Sequence, residues 1–339
     1  MAKQFLSYPS IDQFKNTAYQ MKQYLEFRNI PELSVLFQGT VKLHGTNAAC
    51  IMDTDGDIYF QSRSRILDTV NDNCGFCNFG HENIAVFKSI FDRIKELYAQ
   101  PGKIQLYGEW CGGNIQKGVG LNKVPRMFVI FDIRISEDDE SKNWFNAEMI
   151  SEVMAGISTD TIKHIYLFDT FFLNISTNNL ETGRETLEQL TREVEKDCPV
   201  SRAILGNTSD TLPGEGIVWK AKSSNDKLVD LSRFTFKTKG EEHKTLKTKQ
   251  LVPMDVELAN NVSELVNTIL TNARLEQGIA YLKEQNLPII NTSTMHYINW
   301  VIDDCFKECN DIIVASGIDT KLVKKNLAET ARKFFLNIR

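Results

Sequence analysis

The seven residues Val41-Lys42-Leu43-His44-Gly45-Thr46-Asn47 constrain this chain more than any other stretch. They sit between the apolar runs Val35-Leu36-Phe37 and Ala48-Ala49-Cys50-Ile51-Met52, so Lys42 is expected where a buried strand turns out of the core. Burial and neighbouring cations both lower an amine's pKa, and a neutral amine beside a glycine, where a ligand can approach the backbone, is a nucleophile. A lysine ahead of a turn glycine is, taken alone, most often an ordinary surface residue. The rest of the chain decides between the two.

Residues 35–42 and 48–52 read as strands. Asp53-Thr54-Asp55-Gly56-Asp57 is a turn and leads into a third strand ending at Phe60, which together predicts an antiparallel meander with Lys42 at its first turn. Gln61-Ser62-Arg63-Ser64-Arg65 closes that strand with two arginines, either of which can offer a planar donor fork to a phosphate. Ile104-Gln105-Leu106-Tyr107-Gly108-Glu109 is a strand ending in a carboxylate poorly suited to a dry core, so Glu109 is expected to face a polar cleft. Residues 127–135 are apolar almost throughout, as in a strand buried on both faces. In Gly214-Glu215-Gly216 the flanking glycines let backbone approach a ligand, and the carboxylate can hold a divalent cation. Phe234-Thr235-Phe236-Lys237-Thr238-Lys239 alternates, which puts Lys237 and Lys239 on one strand face and the aromatics on the other. Two ammonium groups side by side repel unless a polyanion lies between them.

Helical periodicity brackets this strand-rich region. Residues 11–28 form an amphipathic pattern through Ile11, Phe14, Tyr19, Met21 and Tyr24, and residues 81–99 a stronger one through Ile84, Phe87, Ile90, Phe91, Ile94 and Leu97. Between 144 and 200 two helical stretches are expected around a short strand, Ile165-Tyr166-Leu167-Phe168, the second of them acidic. Past Pro253 three apolar stripes predict a small bundle, carried by Leu258, Val262, Leu265, Val266, Ile269 and Leu270, by Ile298, Val301, Ile302, Cys305 and Cys309, and by Leu322, Val323, Leu327, Phe334 and Phe335.

Six elements in this order, Lys42-Leu43-His44-Gly45, Ser62-Arg63-Ser64-Arg65, Tyr107-Gly108-Glu109, Phe128 to Ile133, Gly214 to Lys220 and Phe236 to Lys239, resemble the motifs of the covalent nucleotidyltransferases. Lys-x-His-Gly-Thr-Asn in particular resembles ATP-dependent RNA ligases of the RNA ligase 2 group, and the likeness covers about residues 30 to 240. The resemblance implies an α+β fold: a nucleotidyltransferase (ATP-grasp-like) domain of antiparallel sheets with flanking helices, followed by an all-helical domain. It implies ATP and Mg2+ or Mn2+ as cofactors, RNA as partner, and sealing of 5′-phosphate to 3′-hydroxyl ends through a lysyl-AMP, in RNA repair. By the same resemblance, Lys42, Lys237 and Lys239 are expected to take catalytic roles. Val41, Asn47, Arg63, Glu109, Phe131, Glu215 and Lys220 are expected to bind the nucleotide, with Glu215 also on the metal. Arg65 competes with Arg63, and Phe128 with Phe131, which the resemblance places against the purine. Val41 departs from the pattern, since close relatives carry glutamate there. DNA or general polynucleotide ligases, GTP-using capping enzymes and inactive nucleic-acid-binding relatives are the rivals; the helical tail argues against a capping enzyme.

At 339 residues the chain exceeds a usual single core, and we divide it into an adenylation domain, 1–249, and a helical domain, 250–339. The formal net charge of −5 excludes a protein that coats nucleic acid with its whole surface, so a polyanion needs a local basic groove. Five lysines against two glutamates between 237 and 249, with Lys244, Lys247 and Lys249 at its end, supply a candidate, and the last helix offers Lys321, Lys324, Lys325, Arg332 and Lys333. Seven scattered cysteines and no long apolar stretch predict a reduced, cytoplasmic monomer with no membrane segment, encoded by a cell or by a virus acting in the host cytoplasm. Cys74-Gly75-Phe76-Cys77 with His81 lacks a second pair at zinc spacing, and reads as a loop with ordinary thiols.

Overall fold

A computed structural model of the protein describes residues 3–98, 102–113, 115–116, 118–136, 143–206, 208–222, 234–240 and 262–338. The chain divides into two compact units, Met1–Gly240 and Glu241–Arg339. Lys244, Lys247, Lys249 and Leu258 lie outside the described residues.

The first unit is α+β and holds two mostly antiparallel sheets. One sheet runs in the order β1 (Asp12–Gln13), β11 (Thr235–Lys239), β10 (Gly216–Ala221), β2 (Ser34–Val41), β9 (Phe171–Ser176). The other runs β4 (Ile58–Ser62), β3 (Thr46–Met52), β5 (Lys103–Cys111), β6 (Met127–Ser136), β7 (Asn143–Trp144), with β8 (Ile162–His164) alongside β6.

The meander expected around Lys42 does not form. β3 and β4 do make a hairpin, but β2 pairs with β10 and β9 while β3 pairs with β4 and β5, so residues 42–45 cross from one sheet to the other. The crossing is held at both ends: the Lys42 N–H donates to the Gly216 carbonyl at 2.8 Å, and the Gly45 N–H to the Glu109 carboxylate at 2.9 Å. A Cβ at Gly45 would lie 2.3 Å from the Trp110 carbonyl oxygen, so only glycine fits. Lys42 therefore stands between the sheets rather than in a hairpin turn.

Alternation decides which face each strand buries. Val35, Phe37 and Val41 of β2, Ile217 and Trp219 of β10, and Phe236 of β11 form one core with Met21 of α1 (Phe14–Arg28) and Leu187 and Val194 of α5 (Leu180–Lys196). Tyr19 of α1 is 63% exposed and drops out of the expected stripe. The second sheet packs against Phe76 of α2 (Phe76–Glu82), Phe87, Ile90, Phe91 and Ile94 of α3 (Ile84–Leu97) and Ile150 of α4 (Ala147–Met154). Leu97 is 37% exposed, at the end of its helix. The strand expected at 165–168 is instead a 3-10 turn, Ile165–Leu167, with β8 before it and β9 after it. A further short helix, α6 (Pro199–Leu205), precedes the Gly214-Glu215-Gly216 turn.

One irregularity shapes the cleft. Tyr107 faces Asp132 across the β5–β6 ladder but Gly108 faces Ile130, so Phe131 is an extra residue on β6. A bulge reverses the alternation. Phe128 and Ile130 before it, and Ile133 and Ile135 after it, all enter the helix-covered core, which leaves Phe131 and Asp132 together on the opposite face.

The second unit shows four described α-helices, one more than the sequence stripes predict: α7 (Val262–Ile269), α8 (Asn272–Glu284), α9 (Thr294–Ala315) and α10 (Thr320–Asn337). Its core gathers Leu265, Val266 and Ile269, Leu275 and Leu282, Tyr297, Val301 and Cys305, and Val323, Leu327 and Phe335. Leu322, expected inside, is 45% exposed. Among the described residues no helix is long and apolar enough to cross a membrane.

Candidate active site

A cleft of about 270 Å³ is lined by Val41, Lys42, Asn47, Arg63, Glu109, Phe131, Lys220 and Lys237, eight of the ten site residues expected from the sequence. Tyr8, Pro9, Ile11, Thr40, Leu43, Ile165 and Val218 complete the wall. The remaining two, Glu215 and Lys239, join through Lys42.

Glu215 is 2% exposed at the foot of β10. Its Oε2 lies 2.6 Å from Lys42 Nζ and 3.0 Å from His44 Nδ1, and its Oε1 lies 3.1 Å from Lys239 Nζ. Burial alone would raise the Glu215 carboxyl, but Lys42 and Lys239 outweigh it and hold the group well below the usual carboxylate range. It is therefore ionised and accepts only, so the hydrogen bond from His44 needs the proton on Nδ1. Gly216 makes this packing feasible: at φ 153° its missing Cβ would stand 2.0 Å from the Thr238 carbonyl oxygen of β11.

The geometry corrects two expectations. Burial would lower the Lys42 ammonium, yet Glu215 and Glu109 more than offset it and raise the pKa above that of a free lysine. The resting amine is charged, not neutral. Lys237 and Lys239 also do not stand as two unanswered charges, because Lys239 is paired with Glu215 while Lys237 lines the cleft. Glu215 thus answers part of the charge at Lys239, but as one carboxylate shared with Lys42 it leaves net positive charge at the cleft.

Two open pairs of candidates separate spatially. Arg63 lines the cleft, donating to the Tyr8 carbonyl at 2.8 Å, whereas Arg65 donates to the carbonyls of Asn71 and Asp72 at 2.5 and 3.2 Å and secures its own loop. Phe131 is at the cleft, with the Tyr8 ring edge-on at 5.1 Å, whereas Phe128 is fully buried against Phe76 and Phe87. Glu109 and Asn47 sit directly opposite each other on β5 and β3.

On the other side Lys220 Nζ is 2.7 Å from Asp132 Oδ1 and donates to the Phe131 carbonyl at 3.0 Å, while the Tyr8 hydroxyl donates to Asp132 Oδ2 at 2.5 Å. Burial opposes the Lys220 charge, but Asp132 and Tyr166 raise its pKa. The Tyr8 hydroxyl is pushed far up by burial and by the Asp132 charge, so it stays protonated and donating.

Tyr8, His44, Asp132 and Tyr166 were not singled out by the sequence. His44 and Asp132 lie inside motifs already recognised, and a search for polar residues adjacent to them would have found both. Tyr8 carries no local signal. It reaches the cleft because Gln61 brackets Leu6, receiving its N–H at 3.1 Å and donating to its carbonyl at 2.6 Å, and Tyr107 donates to the same carbonyl at 3.0 Å.

Among the described residues no group of three or more His, Cys, Asp or Glu side chains is arranged to hold a metal ion. Glu215 offers one carboxylate, already shared by three donors, so a hard cation here would draw its remaining ligands from phosphate oxygens and water.

Comparison with known proteins gives a family. Solved structures of Naegleria gruberi RNA ligase variants are similar to the chain: one with AMP and Mn and one with ATP and Mn, each at 16% identity and a TM-score of 0.46, and a second with ATP and Mn at 17% and 0.46. Each alignment covers 71% of this chain and 58% of the other, so the chain spans less than two thirds of those proteins. No curated protein matches the sequence. The RNA ligase family model matches residues 36–239, more than half of the 339, and takes in every site residue except the N-terminal Tyr8, Pro9 and Ile11: the chain belongs to the RNA ligase family.

Proposed function

We propose that the protein is an ATP-dependent RNA ligase that joins 5′-phosphate to 3′-hydroxyl ends through a lysyl-AMP, in RNA repair. The observation that carries the reading is the position of Lys42, between two sheets at a cleft lined by Lys220, Lys237, Arg63, Glu109 and Phe131, in a chain of this family. Lys42 Nζ forms a bond to the α-phosphorus of ATP as the bond to pyrophosphate breaks; the AMP then passes to an RNA 5′-phosphate; the 3′-hydroxyl attacks that end and AMP leaves. A covalent intermediate divides one difficult displacement into easier ones.

The resting Lys42 ammonium, whose side chain is 24% exposed, must pass its proton to solvent water and give up its partner before it can attack. Glu215 is too weak a base to take the proton, so its role is to hold Nζ in place until the charge on the carboxylate is shared elsewhere. Mg2+ or Mn2+, when bound, would neutralise phosphate charge and compete with Lys42 for Glu215. Lys237 and Lys239 supply positive charge for the α-phosphate, and Arg63 a donor fork. Phe131 offers its ring to the purine beside Val41, and Glu109 and Asn47 offer polar contacts to the ribose and phosphate. Lys220, fixed by Asp132, closes the far side.

The test is incubation with ATP or GTP radiolabelled at the α-phosphate, followed by denaturing electrophoresis. Label from ATP on the wild type and none on Lys42→Ala is expected, while Lys42→Ala should still seal RNA supplied already adenylated at its 5′ end. Self-labelling by the variant would overturn the nucleophile assignment. Equal sealing of nicked duplexes that carry ribose or deoxyribose at the 3′-hydroxyl would replace RNA ligase by a general polynucleotide ligase.

A further inference from the structure

Helix α10 carries a charge pattern that its packing does not explain. From Val262 to Ile338 there are eight Lys or Arg and nine Asp or Glu; this helix holds five of the eight and one of the nine. The rest of the second unit is correspondingly acidic. Lys321, Lys324, Lys325, Arg332 and Lys333 are all exposed, and among the described residues none is ion-paired. At 100° per residue Lys321, Lys325 and Arg332 fall within about 40° of one another around the axis and span about 16 Å along it. Lys324 stands over the Phe306 ring of α9 at 5.0 Å.

Like charges stacked on one side of a helix destabilise it by a few tenths of a kcal/mol per pair. In a chain of net charge −5, such a row is a local basic surface whose charge a polyanion would complement. A membrane surface fits less well. A helix that lies in lipid needs an apolar face to insert, and here Val323, Leu327, Ala331 and Phe335 are fully buried in the bundle core.

We propose that the exposed Lys321–Lys325–Arg332 face of α10 is a docking surface for the phosphate backbone of RNA, contacting at least three phosphates without reading sequence. The choice of RNA among polyanions rests on the ligase reading above; the surface itself rests on the charge pattern. Such a contact releases counterions, so its strength falls linearly in log affinity against log salt, by about 0.9 per neutralised phosphate on a duplex.

The experiment uses the full-length chain and a fluorescein-labelled nicked RNA duplex, followed by anisotropy from 50 to 300 mM salt. Lys321→Gln, Lys325→Gln and Arg332→Gln are combined in one variant, glutamine being as good a helix former as the residues it replaces. A control variant removes three exposed lysines of the first unit, Lys22→Gln, Lys88→Gln and Lys95→Gln, for the same change in net charge. The α10 variant is expected to bind about 10-fold or more weakly at 100 mM salt, with a salt slope reduced by about 2.7, while the control stays within about 2-fold of wild type. Equal losses in both variants would reduce the effect to bulk charge and overturn the proposal, as would wild-type affinity in the α10 variant. Binding to phosphatidylserine vesicles that the α10 substitutions abolish, with RNA affinity intact, would assign the face to lipid and overturn it too. Self-labelling with ATP is scored separately: its absence in the wild type would refute the ligase reading, and leave the binding result to stand or fall alone.

Discussion

Replacing Glu215 by glutamine keeps the shape of the side chain and removes the charge on which three groups converge. Two unit charges about 3 Å apart attract by roughly 5 kcal/mol at an effective dielectric of about 20, and desolvation of a carboxylate that is 2% exposed takes back much of that. Removing one partner of a buried pair costs about 3–5 kcal/mol, because the other charge is left behind. The Lys42 and Lys239 side chains are 24% and 15% exposed, so water screens them in part and the lower figure applies. About 3 kcal/mol corresponds to a fall in Tm of about 6–12 °C for a unit of this size. The sign of the pH dependence is the sharper test. In the wild type Lys42 has a raised folded pKa, so its stabilisation is full below the unfolded value of about 10.4 and is lost as pH rises through the folded one. Without Glu215, burial is the dominant influence and the folded pKa drops below 10.4; in that window the unfolded chain holds a proton the folded chain lacks, and stability rises with pH. Thermal unfolding from pH 7 to 10.5 should thus show a falling or flat wild type and a rising Glu215→Gln. A variant within 2 °C of wild type at pH 7, or one whose stability falls alongside it, would refute the ion-pair account.

Three other outcomes follow from particular residues. His164 is 4% exposed and burial lowers its pKa to about 4, so between pH 6.5 and 4 the unfolded chain takes up a proton that the folded one refuses. Denaturant unfolding should show a loss of about 3 kcal/mol over that window that His164→Gln does not share; equal losses would put the acid sensitivity elsewhere. Gly216→Ala drives a Cβ into backbone of β11 and should destabilise by about 1–3 kcal/mol while depressing self-labelling far more, and normal labelling would show that the Lys42–Gly216 link is dispensable. A chain lacking residues 251–339 should still label itself with ATP but seal poorly, and sealing at the full-length rate would contradict the division into two roles.

Local spacing in the sequence was enough for the buried faces of most strands and helices, while the candidate site residues came from the order of the motifs and the family they resemble. Period-2 alternation put Phe236 inward and Lys237 outward, and helical periodicity placed Phe87, Ile90, Phe91 and Ile94 on one buried face. The order of motifs pointed to the RNA ligase family, whose model matches residues 36–239. Tertiary structure alone decided which strands pair. Alternation says which face is buried but not against which neighbour, so β2 and β3, adjacent in the chain, joined different sheets and opened the gap in which Lys42 stands. The bulge at Phe131 was hidden for a related reason, since a run apolar on both faces carries no parity to break. Tyr8 came from the far end of the chain through hydrogen bonds that no pattern encodes. The charge of Lys42 was decided last. A pKa depends on what lies within a few ångströms, and the carboxylate at 2.6 Å belongs to a residue 173 positions away in sequence.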